Sequence, residues 1–262
     1  MPVMDVIDVA LLLAAGFGAG TVNAVAGGGS LVTFPTLLAV GLPPISATVT
    51  NSVAVCPGYL ASVYGSRTDL RELAEKRGRR EILSLVPTVV VGTAIGCALL
   101  LNTPAHVFDF VVPFLVLGAT MVLALQDRLK RLVGRPHENS PRRAAIALHL
   151  AAGLGAVYGG YFNAALGVML VAALSLAIDD ILARISALKN AISAVVGLGA
   201  VLAYALFGPV NWAAAAVLTP ATLLGGYTGS RLARRLPAGV LRVVIVAFGT
   251  IVGVVLLIRA LR

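Results

Sequence analysis

Apolar runs, most of them near membrane-crossing length, recur from one end of this chain to the other. They occupy roughly 8–26, 30–41, 46–65, 82–101, 107–126, 144–162, 163–178, 185–206, 213–230 and 238–258. A helix needs about 20 apolar residues to cross the hydrocarbon core, where every backbone polar group must find its partner within the protein. The run 30–41 is too short for that, and 8–26, 144–162 and 163–178 are marginal. The pattern predicts an all-α polytopic membrane protein of about 8–10 membrane segments, in which broken-helix hairpins alternate with full spans. Composition agrees, since only 12% of the residues are charged against about a quarter in soluble domains.

The net charge of +9 would suggest nucleic acid in a soluble protein. Here the bases cluster in short connections between apolar runs, so no nucleic-acid partner is expected and the lipid bilayer is the natural surrounding. One connection holds Arg67, Arg71, Lys76, Arg77, Arg79 and Arg80; another holds Arg128, Lys130, Arg131, Arg135, Arg142 and Arg143; a shorter one holds Arg231, Arg234 and Arg235. Connections 102–106 and 207–212 hold no Lys or Arg. The positive-inside rule puts the basic ones in the cytoplasm. This predicts a multi-pass protein of the cytoplasmic membrane with both termini outside the cytoplasm. The opening MPVMDVID has no basic residue ahead of its apolar run, so that run is expected to remain as a span. Cys56 and Cys97 lie in apolar runs and are expected to be small buried packing residues.

The chain repeats itself. Pro87, Gly92, Gly96 and Pro104 recur at constant offset as Pro220, Gly225, Gly229 and Pro237, and AAGFGAG (14–20) resembles AAGLGAV (151–157). Asn23 pairs with Asn163, Gly27 with Gly167 and Asn51 with Asn190 at nearly that offset. The expected organisation is a first membrane repeat over 1–126, a cytoplasmic linker over 127–143 and a second repeat over 144–262. Each repeat would hold one broken hairpin and three full helices, so it crosses an odd number of times and the second is inverted. Inverted repeats with breaks in corresponding places are a mark of secondary transporters.

The segment NAVAGGGSLVTFP (23–35) puts Gly27, Gly28 and Gly29 inside an apolar run. Three glycines in a row break a helix. A break at membrane depth is tolerated only where it is buried in protein or lines a cavity. The new helix start offers free N–H groups to an anion. Ser30 would cap that start or donate its hydroxyl, and bare glycines would let a ligand approach the backbone. The segment around Asn163 and Gly167 would supply a second, opposed break. Thr50 and Asn51 in TVTNSVA, and Lys189 and Asn190 in ALKNAIS, occupy matching places. The asparagines would donate hydrogen bonds, or alternatively cap and bridge helices. Lys189 would supply charge to an anion, or snorkel to the interface and pair with Asp179, Asp180 or phospholipid. The GxxxG pairs Gly92/Gly96 and Gly225/Gly229 read as close-packing faces, turned either inward or toward a second copy in a homo-oligomer. His149 reads as a hydrogen-bonded structural residue or a proton shuttle. Tyr158 and Tyr161 would line the second break or pack. HExxH, nucleophile-elbow and P-loop motifs are absent from the sequence, so neither an enzyme nor an ATP-driven pump is expected, and no metal or cofactor is called for.

The run GAGTVNAVAGGGSLVTFPTLLAVGLPPISATVTNS (18–52), with Ala47, Thr50 and Asn51 in an A-x-x-T-N motif, resembles the first-repeat signature of the sulfite exporter TauE/SafE family, also called DUF81 or TSUP permeases. ALKN (187–190) and GGYTGSRLARRLP (225–237) resemble further family segments. One departure stands out: the second repeat often carries its own Gly-rich run, where this chain has YFNAALG (161–167). The resemblance implies export of a sulfur-containing anion such as sulfite or an organosulfonate, with a proton or sodium ion as coupling partner. A passive anion channel and a membrane protein without transport function are the alternatives.

Overall fold

The computed structural model describes residues 5–25, 28–132, 141–232 and 238–260. Gly27 and residues 133–140 of the expected linker therefore lie outside the described residues, and the rest of that linker continues α6 and begins α7. The described chain is helical throughout. In the first half run α1 (Val6–Val25), α2 (Ser30–Ala39), α3 (Pro44–Gly65), α4 (Arg67–Arg77), α5 (Arg79–Asn102) and α6 (Ala105–Leu132). The second half holds α7 (Pro141–Tyr161), α8 (Leu166–Ala177), α9 (Leu182–Phe207), α10 (Trp212–Leu232) and α11 (Ala238–Ala260). Five helices are long and apolar enough to cross a membrane, over Val6–Asn23, Arg79–Asn102, Ala105–Leu125, Ala144–Tyr161 and Ala183–Phe207. The arms α2 and α8 have 10 and 12 residues, about 15 and 18 Å of helix, half of what a crossing needs. Helix α3 has the length, but Thr48, Thr50, Asn51 and Ser52 are buried along it. The structure thus adds one element to the sequence reading: the first basic connection folds as α4.

Glycine decides which helices touch. A Cβ on Gly20 would stand 2.2 Å from the Thr222 carbonyl oxygen, and one on Gly225 2.1 Å from that of Phe17. A Cβ on Gly96 would stand 2.1 Å from the Val157 carbonyl oxygen, and one on Gly160 2.5 Å from that of Thr93. Only missing side chains let these backbones meet. The most extensive contacts in the molecule are accordingly α1 on α10 and α5 on α7. Gly92, Gly96 and Gly225 spend their small faces inside the chain rather than on a second copy, and each pair joins one half to the other. Cys56 and Cys97 are buried, as expected of packing residues.

The registers give direction. Thr21 and Phe17 meet Gly225, and Gly16 meets Leu218 and Ala221, so α1 and α10 run the same way. Gly92 meets Gly153, Gly96 meets Val157, and Thr103 meets Tyr161, so α5 and α7 do too. Helix α9 runs against α3, with Asn190 on Ser62 and Ser66, Gly197 on Cys56 and Tyr59, and Gly208 on Val49. The α2–α3 turn meets the 207–212 loop, where Ser46 donates to the Pro209 carbonyl at 2.8 Å. The α8–α9 turn meets α4 at the other end of the bundle, through Lys76–Asp180 at 3.0 Å and Arg184–Glu72 at 2.8 Å. The hairpins α1–α2 and α7–α8 therefore open toward opposite ends, and their tips point past each other.

Candidate functional site

The first tip is built by close approach. A Cβ on Gly29 would fall 2.1 Å from the Ala19 carbonyl oxygen and 2.9 Å from Asn23 Cγ. What comes close to that glycine is the backbone of α1, which occupies the space expected to admit a ligand. Ser30 does not cap the helix start. The buried Asn23 does so instead, its Oδ1 accepting the Gly29 N–H at 2.9 Å. Gly28 is roomier, its nearest neighbour the Leu123 side chain.

The second tip is built by backbone torsion. Asn163 and Ala165 take left-handed conformations, φ 64° and 55°, a region asparagine tolerates but one costly to alanine. The tip's carbonyls are held from within: Tyr158 donates its hydroxyl to the Ala164 carbonyl at 2.6 Å, and its own carbonyl accepts the Phe162 N–H at 2.8 Å. Tyr158 thus braces the break. Gly167 lies buried within α8, past the turn itself.

The two tips meet at Tyr59 of α3. Its hydroxyl donates to Asn163 Oδ1 at 3.3 Å. Ser30, at the head of α2, lies near the same phenol, and its hydroxyl makes no hydrogen bond among the described residues. Phe34 and Phe162, one from each hairpin, pack edge to face with centroids 5.2 Å apart, and Phe108 and Tyr158 flank Phe162. One turn beyond Ser30, Thr33 donates to Asn51 Oδ1.

At this crossing and along the helices that meet there, the protein leaves polar groups without partners among the described residues. They are Ser30 Oγ, Asn51 Nδ2, Asn163 Nδ2 and Ser193 Oγ, each on a residue no more than 1% exposed. A fifth, Thr120 Oγ1, lies apart against Gly249. A buried unmet donor costs about 1–3 kcal/mol, so several in one neighbourhood point to chemistry rather than packing. Asn163 lies at the crossing and Asn51 beside Thr33, while Ser193 lies one turn before Gly197 on α9; each of the four groups can donate to an oxyanion.

Lys189 is 7% exposed and has no hydrogen-bond or ion-pair partner among the described residues. It does not pair with Asp180, whose carboxylate is engaged by Lys76 and Arg184. Lys189, Ser193 and Gly197, spaced four residues apart, form a stripe along α9, and its Gly197 end abuts Cys56 and the Tyr59 ring. The stripe leads from the basic end of the bundle to the crossing.

Two sequence candidates sit elsewhere. Asn190 donates to Ser66 Oγ at 3.1 Å and to the Ser62 carbonyl at 3.4 Å, near the basic end. Thr50 Oγ1 accepts the Asn211 N–H at 2.9 Å, holding the 207–212 loop. Asn190 thus bridges α9 to α3, the alternative role the sequence allowed for asparagine, and Thr50 ties α3 to the loop. His149 is structural: Nδ1–H donates to the Ala145 carbonyl at 2.9 Å, and Nε2 lies 3.3 Å from Ser84 Oγ. Sequence reasoning missed Tyr59, Thr33 and Ser193. Only their polarity within apolar runs marked them, and ordinary core residues share that mark.

Two helical hairpins with short second arms and buried polar groups about their tips, in a chain with five helices long and apolar enough to cross a membrane, fit a multi-pass membrane transporter. The chain belongs to the Sulfite exporter TauE/SafE family, whose sequence profile matches residues 12–256. It is 30% identical to "Probable membrane transporter protein YfcA" of Escherichia coli K12 over 82% of this chain and 76% of that protein. It is 27% identical to a "Probable membrane transporter protein" of Haemophilus influenzae, covering 85% and 84% of the two chains. A third relative, "Probable membrane transporter protein ORF9" of a Sinorhizobium species, is 27% identical over 96% of this chain and 92% of its own. No solved structure matches.

Proposed function

We propose that the chain is a secondary transporter exporting a small sulfur-containing anion, sulfite or an organosulfonate, bound where the two hairpin tips meet. The observation that carries this reading is the set of unpartnered buried donors on the elements that meet there, Ser30 on α2, Asn163 against Tyr59, Asn51 against Thr33, and Ser193 on α9. A sulfur oxyanion offers several acceptor oxygens and no obligatory donor, which suits such a shell. Lys189 supplies charge along the α9 stripe. A proton or sodium ion is the coupling partner. The protein sits in the cytoplasmic membrane with the α4 end inside and both termini outside, and its hairpins form an inverted pair.

The moving bodies are not the sequence halves. Glycine contact welds α1 to α10 and α5 to α7, so alternating access comes from these mixed units shifting around α3 and α9. The aromatic packing of Phe34, Phe108 and Phe162 favours this over a continuous anion channel.

The test is sulfite and sulfonate flux in proteoliposomes of purified protein. Asn163→Ala and Asn51→Ala are expected to lower flux roughly ten- to a hundredfold, the equivalent of one charge-assisted hydrogen bond. Thr50→Val and Asn190→Ala should keep most of it. Unchanged flux in both site variants would remove the tips as the binding site.

A further inference from the structure

Helix α4 has no counterpart in the second half, where the short loop 208–211 joins α9 to α10. One side of it is spoken for. Leu73 is fully buried, and Glu72 and Lys76, one turn apart, hold Arg184 and Asp180. The other side faces a groove of about 750 Å³ shared with the start of α5, lined by Arg67, Arg71 and Arg79 and floored by Leu70, Ile82 and Leu83. We propose that this groove binds the headgroup of an anionic phospholipid from the leaflet at the basic end, with its acyl chains laid along α5.

The charge and the apolar surface are arranged in the order an amphiphile presents them. Arg67 lies over the Tyr64 ring, 4.3 Å from its centroid, and donates to the Tyr64 carbonyl, which leaves much of its donor fork free. Arg71 shares Glu75, and both are well exposed. Arg79 has no ion partner among the described residues. Three guanidinium groups thus face one carboxylate. A guanidinium fork matches phosphate oxygens, and basic groups at a membrane surface attract anionic lipid by about 1 kcal/mol each. Below them Leu83, Val86 and Val90 are 54%, 40% and 50% exposed at helical spacing. They form an apolar strip running from the groove down the candidate span Arg79–Asn102. The ion pairs on the far side of α4 hold the arginines in place.

The experiment uses the full chain purified in detergent. Dioleoylphosphatidylglycerol, dioleoylphosphatidylcholine or inorganic phosphate is added, and melting temperature and bound lipid by native mass spectrometry are read. Phosphatidylglycerol should be retained and should raise the melting temperature above the other two arms. Arg67→Gln/Arg71→Gln/Arg79→Gln should abolish that preference, the corresponding triple Lys variant should keep most of it, and Arg128→Gln, at another exposed basic site, should leave it intact. Equal effects of the two lipids, a shift reproduced by phosphate alone, or a preference surviving in the triple Gln variant would overturn the proposal. Should the triple variant not stay monodisperse, Arg79→Gln alone must reduce phosphatidylglycerol retention at least about threefold, and no reduction overturns it.

Discussion

At the first hairpin tip the chain enters α2 with Gly29 in a right-handed conformation, φ −60°, pressed onto the α1 backbone. At the second it turns on Asn163 and Ala165, both left-handed and neither a glycine. The first tip is fixed by shape: there is no room for a methyl group, and one asparagine closes the turn. The second is fixed by hydrogen bonds from Tyr158 and Tyr59 that offset local strain. Contacts of shape do not exchange with a solute, whereas hydrogen bonds do. Under the proposed function the second tip is therefore the one suited to respond to an anion, and the first serves as its rigid counterpart.

The sharpest way to break this contrast is Gly29→Ala. The new Cβ has backbone on one side and Asn23 on the other, so relief requires α1 and α2 to part. Overpacking of this kind costs about 1–3 kcal/mol where side chains can yield, and here backbone must. The expected result is a loss of several degrees in melting temperature, or loss of monodisperse protein altogether. A variant as stable as the parent would mean that the first tip is not held by shape.

Next in size is Tyr158→Phe, which removes the hydroxyl under the Ala164 carbonyl and leaves a buried acceptor unmet. About 1–3 kcal/mol of stability should go, or roughly 2–10 °C in melting temperature for a chain of this class. Loss of flux greater than the loss of folded protein would show that the brace also positions Asn163. No change in either would return the second tip to simple packing.

How far these contrasts could be read from sequence depends on what each residue does. The hairpins were legible because apolar length is countable, and the basic connections because charge is. The small-residue faces were legible as packing, though not their partners, since spacing along one helix cannot say which neighbour fills it. The pairing of Asn51 with Asn190 misled for a physical reason. A repeat preserves position within each half, but α3 and α9 run antiparallel, so equal positions land at different depths. Asn190 meets Ser66, while Asn51 meets Thr33. Tyr59 stayed hidden because its role appears only when residues 30, 59 and 163 converge. The left-handed turn at Asn163 was hidden by the missing glycines that would have advertised it.

The hairpin bases differ as their tips do. Neutral groups tie the α2–α3 turn: Ser46 to Pro209, and Thr50 to Asn211. Ionic ones tie the α8–α9 turn, where Asp180 has a side chain 2% exposed and meets Lys76 and Arg184. Burial by itself would raise the Asp180 carboxyl, but hydrogen bonds from Lys76, the Ile181 N–H and Arg184 outweigh it and hold it below the usual value. A depressed carboxyl contributes stability that is complete above its unfolded value and is lost as pH falls through the folded one. Asp180→Asn should therefore melt a few degrees below the parent from neutral pH down to about 4, the ordinary aspartate range. Below that the gap should close. Thr50→Val should show no such pH dependence. A gap that persists in acid would mean that packing, not charge, ties the second base.

The smallest effect, and the most telling, belongs to Ala165→Gly, the chemical reverse of Gly29→Ala. Leaving the left-handed region to glycine should recover about 1–2 kcal/mol of backbone strain. Against this stand about 0.5–1 kcal/mol of added unfolded-state entropy and about 0.8 kcal/mol for a methyl on a residue 1% exposed. These terms nearly cancel, so the melting temperature should move by no more than a degree or two. Moving a methyl group onto the first tip is thus ruinous, while taking one off the second is close to neutral. If Ala165→Gly instead destabilised as much as Gly29→Ala, the second tip would also be held by shape. The distinction between a rigid and a responsive hairpin would then fail at the residue where it is most directly measured.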